Sequence, residues 1–367
     1  MQDRGPVEGI RKILAFCLPG IGDSVFAIPA VRALKEGFPG STLFALTMFR
    51  GAADVLQQFS FIDEVVNFDF LHEGFLRSLV FLRQFRQRNF DLIFMTYPSN
   101  RLEYNLIAFL IGARFRLGHR YQHLDVLCGN WLKNLVVRED NSFTNIEENL
   151  RLTELLTAKK NRDLSIRLPL QAHHIKYARE WVIEHKLTDQ LLIGFHPGGS
   201  TAKNHLHKRW PPENYVKAGK KLVREIGAAI VLFGGPEEDQ LKLQIAQGIG
   251  PGAFVPHPPD ILHTCGLIAQ CSHVIANDSA LLHLSRALGV PTTGIFGPTS
   301  AAWVRMAHVS CDDLSLGLPC QPWFYYSPRH LRCKCRRFSC LEDLTPDLVA
   351  DHVLALLKQR QELPKSI

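Results

Sequence analysis

The chain has 367 residues, enough for two ordinary domains, with 46% hydrophobic and 21% charged side chains. That composition excludes a fibrous or disordered chain, and no apolar run reaches the length that a bilayer-spanning helix needs. A formal charge of +7 favours acidic partners such as nucleotides, phosphorylated lipids or a membrane surface, and is too diffuse to indicate nucleic acid.

Apolar runs of strand length alternate with amphipathic stretches, which predicts βαβ units around parallel sheets. The first apolar run, Ile13 to Leu18, follows the basic pair Arg11 and Lys12. Pro19, Gly20 and Asp23 break it too early for a secretory segment, so it reads as a first strand in a cytoplasmic protein. Further strands are expected at 42–47, 64–68 and 91–96, with helices at 25–37, 52–59, 75–88, 105–111 and 145–157. Residues 158–172 lose periodicity and carry Pro169, which places the linker there and a Rossmann-like domain over 1–172. A helix is expected at 174–185, after which the alternation restarts. Strands are expected at 191–196, 228–233, 273–276 and 292–296, and helices at 212–226, 238–249, 261–271 and 280–288. These form a second Rossmann-like domain over 173–345. A last amphipathic segment within 346–367 is expected to pack back on the first domain.

Four motifs fall at predicted strand ends, where open α/β sheets bind ligands. Pro19-Gly20-Ile21-Gly22-Asp23-Ser24 opens the first helix; Asp23 is there either a capping carboxylate or a general base toward a hydroxyl. The third glycine of a dinucleotide fingerprint is missing. His196-Pro197-Gly198-Gly199-Ser200-Thr201, followed by Lys203 and Lys208-Arg209-Trp210-Pro211, gathers backbone amides, hydroxyls and cations suited to a diphosphate. In Gly234-Gly235-Pro236-Glu237-Glu238 a carboxylate has the place to accept ribose hydroxyls, and an acidic first turn explains it almost as well. In Asn277-Asp278-Ser279-Ala280 the aspartate or serine caps the next helix, whose exposed amides also suit an anion; His283 lies one turn on and by itself reads as packing.

Taken in this order, these segments resemble glycosyltransferase family 9, the bacterial lipopolysaccharide heptosyltransferases. The stretches are PGIGDSVFAIPAVRALKEGFPGS, HPGGSTAKNHLHKRWPPENY, VLFGGPEEDQ and VIANDSALLHLSRALGVPTTGIFGPT. The resemblance implies a GT-B fold, two doubly wound domains facing a cleft. It also implies inverting, metal-independent transfer of a sugar, heptose first, from a nucleotide-diphosphate donor such as ADP-heptose, with no cofactor. The acceptor implied is an acidic glycolipid of the lipopolysaccharide core at the inner membrane face. Asp23 becomes the base; Ser200, Thr201, Lys208, Glu238, Asp278, Ser279 and His283 fall on the donor side, Gly22 and Arg120 on the acceptor side. Ala280 departs from the glycine usual at that position. A nucleotide-sugar epimerase of the same fold and a non-catalytic nucleotide-sugar binding protein are the alternatives.

Arg77, Arg83, Arg86 and Arg88, with Arg114, Arg116 and Arg120, make the first domain locally basic and suit an acidic acceptor. Cys320, Cys333, Cys335 and Cys340 are sufficient in number for zinc, but their spacing departs from paired C-x-x-C knuckles. Reduced thiols in a basic loop are the preferred reading, with a structural metal as the alternative.

Overall fold

The computed structural model describes residues 9–199, 206–323, 333 and 337–362. The chain divides into two compact units. The first runs through Pro169 and reclaims Ala302–His308; the second comprises Leu170–Ala301 and the segments after His308.

The first unit alternates β1 (Lys12–Cys17), α1 (Ile21–Gly37), β2 (Thr42–Thr47), α2 (Arg50–Leu56), β3 (Glu64–Asn67), α3 (Phe75–Arg86), β4 (Leu92–Met95) and α4 (Leu102–Ile111). It continues with β5 (Phe115–Arg120), β6 (Leu135–Arg138) and α5 (Asn145–Thr157). The strands form one parallel sheet in the order β3-β2-β1-β4-β5-β6. The first four strands sit where apolar alternation puts them; β5 and β6 were not expected. Two arginines and a histidine interrupt the apolar pattern of β5. Arg116 nonetheless fits, because its guanidinium donates to the Leu132 and Ala113 carbonyls, each at 2.9 Å. The four-residue edge strand β6 is too short to show a period.

The core of this unit joins Leu14, Phe16, Phe44 and Ile93 of the sheet to Leu82 and Phe85 of α3 and to Tyr104 and Ala108 of α4. Phe81 stacks on Phe68 at 4.1 Å and on Phe85 at 5.0 Å, which seats α3 by aromatic contact. α1 packs against α5, whose start is a full capping box: Thr144 Oγ1 accepts from the Glu147 amide at 3.2 Å, and the Glu147 carboxylate accepts from the Thr144 amide at 2.7 Å.

The second unit begins with α6 (Ala172–Glu184), β7 (Leu192–His196), α7 (Pro212–Ile226), β8 (Ala229–Leu232), α8 (Asp239–Ile249) and β9 (Ala253–Phe254). α9 (Ile261–Ile268), β10 (His273–Asn277), α10 (Ala280–Ala287), β11 (Thr292–Ile295), α11 (Ser339–Glu342) and α12 (Pro346–Glu362) complete it. Its parallel sheet runs β11-β10-β7-β8-β9. The expectation that the last helix packs on the first domain is corrected: α12 packs on α7. Val349, Ala350 and Val353 join a core with Trp210, Tyr215 and Leu222, because the apolar stripe of α7 needs a partner on that flank of the sheet. Among the described residues no helix is long and apolar enough to cross a membrane.

Candidate active site

In the second sheet, β7 and β10 are neighbours from which the chain winds off in opposite directions, so their carboxyl ends define a topological switch point. His196 ends β7 and Asn277 ends β10. The buried Asn277 amide donates to the Pro197 and Gly198 carbonyls at 2.7 and 3.0 Å. Its oxygen accepts from the Trp210 amide at 3.0 Å and from the Tyr215 hydroxyl at 3.1 Å. One side chain thus ties the glycine turn after β7 to the entry of α7. The sequence reading did not single out Asn277; a polar residue closing an apolar strand was the available signal.

Glu238 is 5% exposed and bridges two glycine turns. It accepts from the Gly199 amide at 2.6 Å, the Gly235 amide at 3.0 Å, His196 Nε2 at 3.3 Å and Arg209 Nη2 at 3.3 Å. Burial alone would push its carboxyl up; the His196 ring and the two amides outweigh burial and hold it down at about 2. A Cβ at Gly198 would fall on this carboxylate, which is why the turn carries no side chain there. Those four partners occupy Glu238 within the protein, whereas Glu237 is exposed.

Lys208 Nζ lies 2.7 Å from Asp278 Oδ2, to which Thr299 Oγ1 also donates at 2.8 Å, and His283 Nε2 lies 3.4 Å from Asp278 Oδ1. Burial works against the charge on Asp278, yet Lys208 and His283 hold its carboxyl well below the usual range. Burial likewise pushes the His283 imidazolium down against the pull of Asp278. His283, which alone reads as a packing residue, is therefore part of this cluster. Ser279 takes the N-cap position of α10 without making a cap bond; its hydroxyl meets His196 Nδ1 at 2.7 Å. Arg209 also donates to the Gly199 carbonyl, and its buried Nε has no partner among the described residues. A buried cationic N–H left over at a turn of backbone amides is suited to an anion. Ser200, Thr201 and Lys203 lie outside the described residues.

The switch point of the first sheet lies between β1 and β4. Gly20 takes the N-cap position of α1 with no side-chain bond, and half-buried Gly22 and Asp23 follow within the first turn. Asp23 is therefore an acid of the first turn, three residues past the N-cap. Burial, with the Asp23 charge adding to it, pushes the Tyr104 phenol to about 12, and the Tyr121 phenol also rises well above its ordinary value. The Asp23 charge contributes to both shifts.

Behind them lies a network that sequence reasoning missed. The Tyr97 hydroxyl donates to Glu139 at 2.8 Å, and the Tyr121 hydroxyl accepts from the Ser99 amide at 2.5 Å. Lys133 Nζ donates to the His119 carbonyl at 2.8 Å and to Asn130 at 2.6 Å, and burial lowers it to about 7. His119 and Arg151 both reach Glu148, at 2.9 and 2.6 Å. Arg120, expected on the acceptor side, ends β5 and pairs with Asp125 at 2.6 Å.

For a cation, the described residues offer one group of histidines, His173 and His174 of α6 with His263 of α9, whose candidate ligand nitrogens all lie within 4.8 Å. Two of these rings already serve helix starts: His263 Nδ1 meets Asp260 at 2.8 Å, and His174 Nδ1 accepts the Gln171 amide at 3.3 Å. Of the four C-terminal cysteines, Cys335 lies outside the described residues. Cys320, Cys333 and Cys340 are free thiols, and burial pushes Cys340 up to about 11.

Two Rossmann-like units, each with polar groups collected at its switch point, define a GT-B type protein. The structure of the Escherichia coli lipopolysaccharide heptosyltransferase II superposes with TM-score 0.68 at 20% identity, covering 95% of this chain and 99% of that one. A Veillonella parvula family 9 glycosyl transferase superposes with TM-score 0.76 at 19% identity, covering 97% and 100%. The family profile of glycosyltransferase family 9 (heptosyltransferase) matches residues 79–330, and the chain belongs to that family. It is 30% identical over 127 residues to lipooligosaccharide heptosyltransferase 2 of Haemophilus influenzae, covering 31% of this chain and 33% of the relative. It is 29% identical over 179 residues to lipopolysaccharide heptosyltransferase 2 of E. coli, covering 47% and 49%. The chain thus spans a third to a half of the length of these curated relatives.

Proposed function

We propose that this chain is an inverting, metal-independent glycosyltransferase. It transfers heptose from ADP-heptose to a lipopolysaccharide core or related glycolipid at the cytoplasmic face of the inner membrane. The observation that carries the donor half is the switch point of the second unit. There Lys208 is held on Asp278, Arg209 keeps an Nε unpartnered among the described residues, and the Gly198-Gly199 turn is clamped by Asn277 and Glu238. Such donors suit a diphosphate, which can take the place of the internal carboxylate as their partner. The E. coli relative of the same fold is named for ADP-heptose, which makes that donor the first to test.

In this reading the acceptor hydroxyl attacks the anomeric carbon as the bond from that carbon to the diphosphate oxygen breaks. The proton passes to Asp23, and the charge released on the diphosphate is met by Lys208 and Arg209. Glu238 holds the two turns in place, and Glu237 is the carboxylate left exposed for ribose hydroxyls. Calorimetric titration with ADP, UDP and GDP, followed by mass spectrometry of transfer from the matching nucleotide sugars, tests the reading. ADP binding with heptose transfer supports it. Binding of ADP-heptose without transfer to any glycolipid would leave a binding protein, and failure to bind any nucleoside diphosphate would remove the donor site.

A further inference from the structure

In the first unit, α3 and α4 pack side by side, with Leu82 and Phe85 of one and Tyr104, Ala108 and Ile111 of the other turned into the core. A surface helix normally sets polar residues on its opposite face. Here that face is apolar as well. On that side of α3, Leu76 is 76% exposed and Val80 57%, and Phe75, the first residue of the helix, is exposed to 76% at its end; on α4, Leu106, Phe109 and Leu110 are between 41% and 48% exposed. Trp131, 61% exposed, extends the surface from a loop that is pinned to α4, where the Asn105 amide donates to the Cys128 carbonyl at 2.7 Å. Exposed apolar side chains gathered on two packed helices in this way mark an interaction surface.

Its charge selects the partner. Residues 71–138 hold ten Lys and Arg against four Asp and Glu, and nine of those cations remain when the buried Lys133 is left out. Several of these cations brace the surface itself: Arg86 donates to the Leu110 carbonyl at 3.0 Å, and the Arg116 guanidinium lies 5.5 Å from the Phe109 ring centroid. A carbonyl or a ring leaves such a charge in place, and Arg83 is exposed beside Val80. A second copy of the chain would bring the same positive face against itself, which repulsion opposes. An anionic lipid surface satisfies both features, taking up apolar side chains at the headgroup boundary and arginines at the phosphates.

We propose that the outward face of α3 and α4, with the loop carrying Trp131, docks the first unit on an anionic lipid bilayer. Docking needs neither donor nor acceptor, so it stands or falls apart from the sugar-transfer reading. The test is flotation of the full chain with vesicles of phosphatidylcholine and phosphatidylglycerol in equal amounts, and with phosphatidylcholine alone. The chain floats with the mixed vesicles, much less with the neutral ones, and loses binding as salt rises. Phe75→Asp combined with Phe109→Asp lowers the bound fraction about tenfold or more. The thermal midpoint falls by only a few degrees, because Phe75 is 76% exposed and Phe109 48%. Should that variant melt early, Leu76→Ser with Leu110→Ser repeats the measurement. Flotation of either well-folded variant as efficient as the parent's overturns the proposal. So does a parent that binds neither vesicle, or one that is dimeric by light scattering and becomes monomeric with the aspartates.

Discussion

The switch point of the second unit is built from opposite charges in contact, Lys208 on Asp278 and Arg209 on Glu238, with the His196 ring beside the latter carboxylate. That of the first unit is backed by hydroxyls, amides and a lysine that burial brings near neutrality, with Asp23 half-buried in the first turn of α1. Two sheets of the same class therefore prepare different chemistry. Paired charges at fixed positions are suited to exchanging an internal carboxylate for a ligand phosphate. A half-buried carboxylate in the first turn of a helix at a strand end has the place for a general base. The contrast teaches that the winding of the sheet places a site, while the side chains at the strand ends decide what it does.

The largest effect that would sharpen this contrast is on turnover. Asp23→Asn keeps the shape and removes proton acceptance, so kcat falls about 10²- to 10⁴-fold while calorimetric donor affinity stays within a factor of about two. Near-normal turnover at saturating substrates would strip the first unit of its catalytic part.

The two units also differ in where pH acts on stability. Lys133 has a folded value of about 7, below its unfolded value of 10.5, so the unfolded chain binds more protons between them. Stability therefore rises with pH across that window, by up to about 4 kcal/mol from pH 7 to 10. Glu238 is depressed from 4.5 to about 2, so its contribution is present above 4.5 and is lost as pH falls through 2, up to about 3 kcal/mol. Thermal melts of the parent, Lys133→Met and Glu238→Gln over both windows check this. Lys133→Met flattens the alkaline arm and Glu238→Gln the acid arm; an alkaline arm unchanged in Lys133→Met would contradict the burial argument.

Lys208 is not a surface lysine dispensable for folding. Only 12% of its side chain is exposed and it is paired with a buried aspartate, so Lys208→Met leaves Asp278 short of a cation and costs about 3 kcal/mol. Lys208→Met with Asp278→Asn recovers most of that stability without recovering ADP affinity. A double variant as unstable as the single one would mean that the pair is not the source of the loss. The smallest effect is structural: Thr144→Ala removes the capping box of α5 and costs about 1 kcal/mol in denaturant unfolding, with ADP titration unchanged.

Much of this was legible in the sequence. Alternation of apolar strands with amphipathic helices follows from side-chain periods, so the four leading strands of the first unit and the main strands of the second could be read directly. The glycine turns could be read because only short residues let backbone amides converge. The arginine-bearing β5 and the short β6 could not, since neither shows a period. The exposed apolar face of α3 was hidden because its sequence is apolar on both sides, and periodicity alone does not say which side is buried.

What the sequence determined by itself was the class of fold and which turns carry chemistry, because both rest on local spacing along the chain. Tertiary structure decided the partners. Glu238 clamps Gly199 from 39 residues away, Lys208 meets Asp278 across 70, and Asn277 holds Pro197 across 80. Nothing local fixes those distances. They follow from β7 and β10 lying side by side in the sheet, which puts distant strand ends within hydrogen-bond reach and excludes the water that would otherwise take their place.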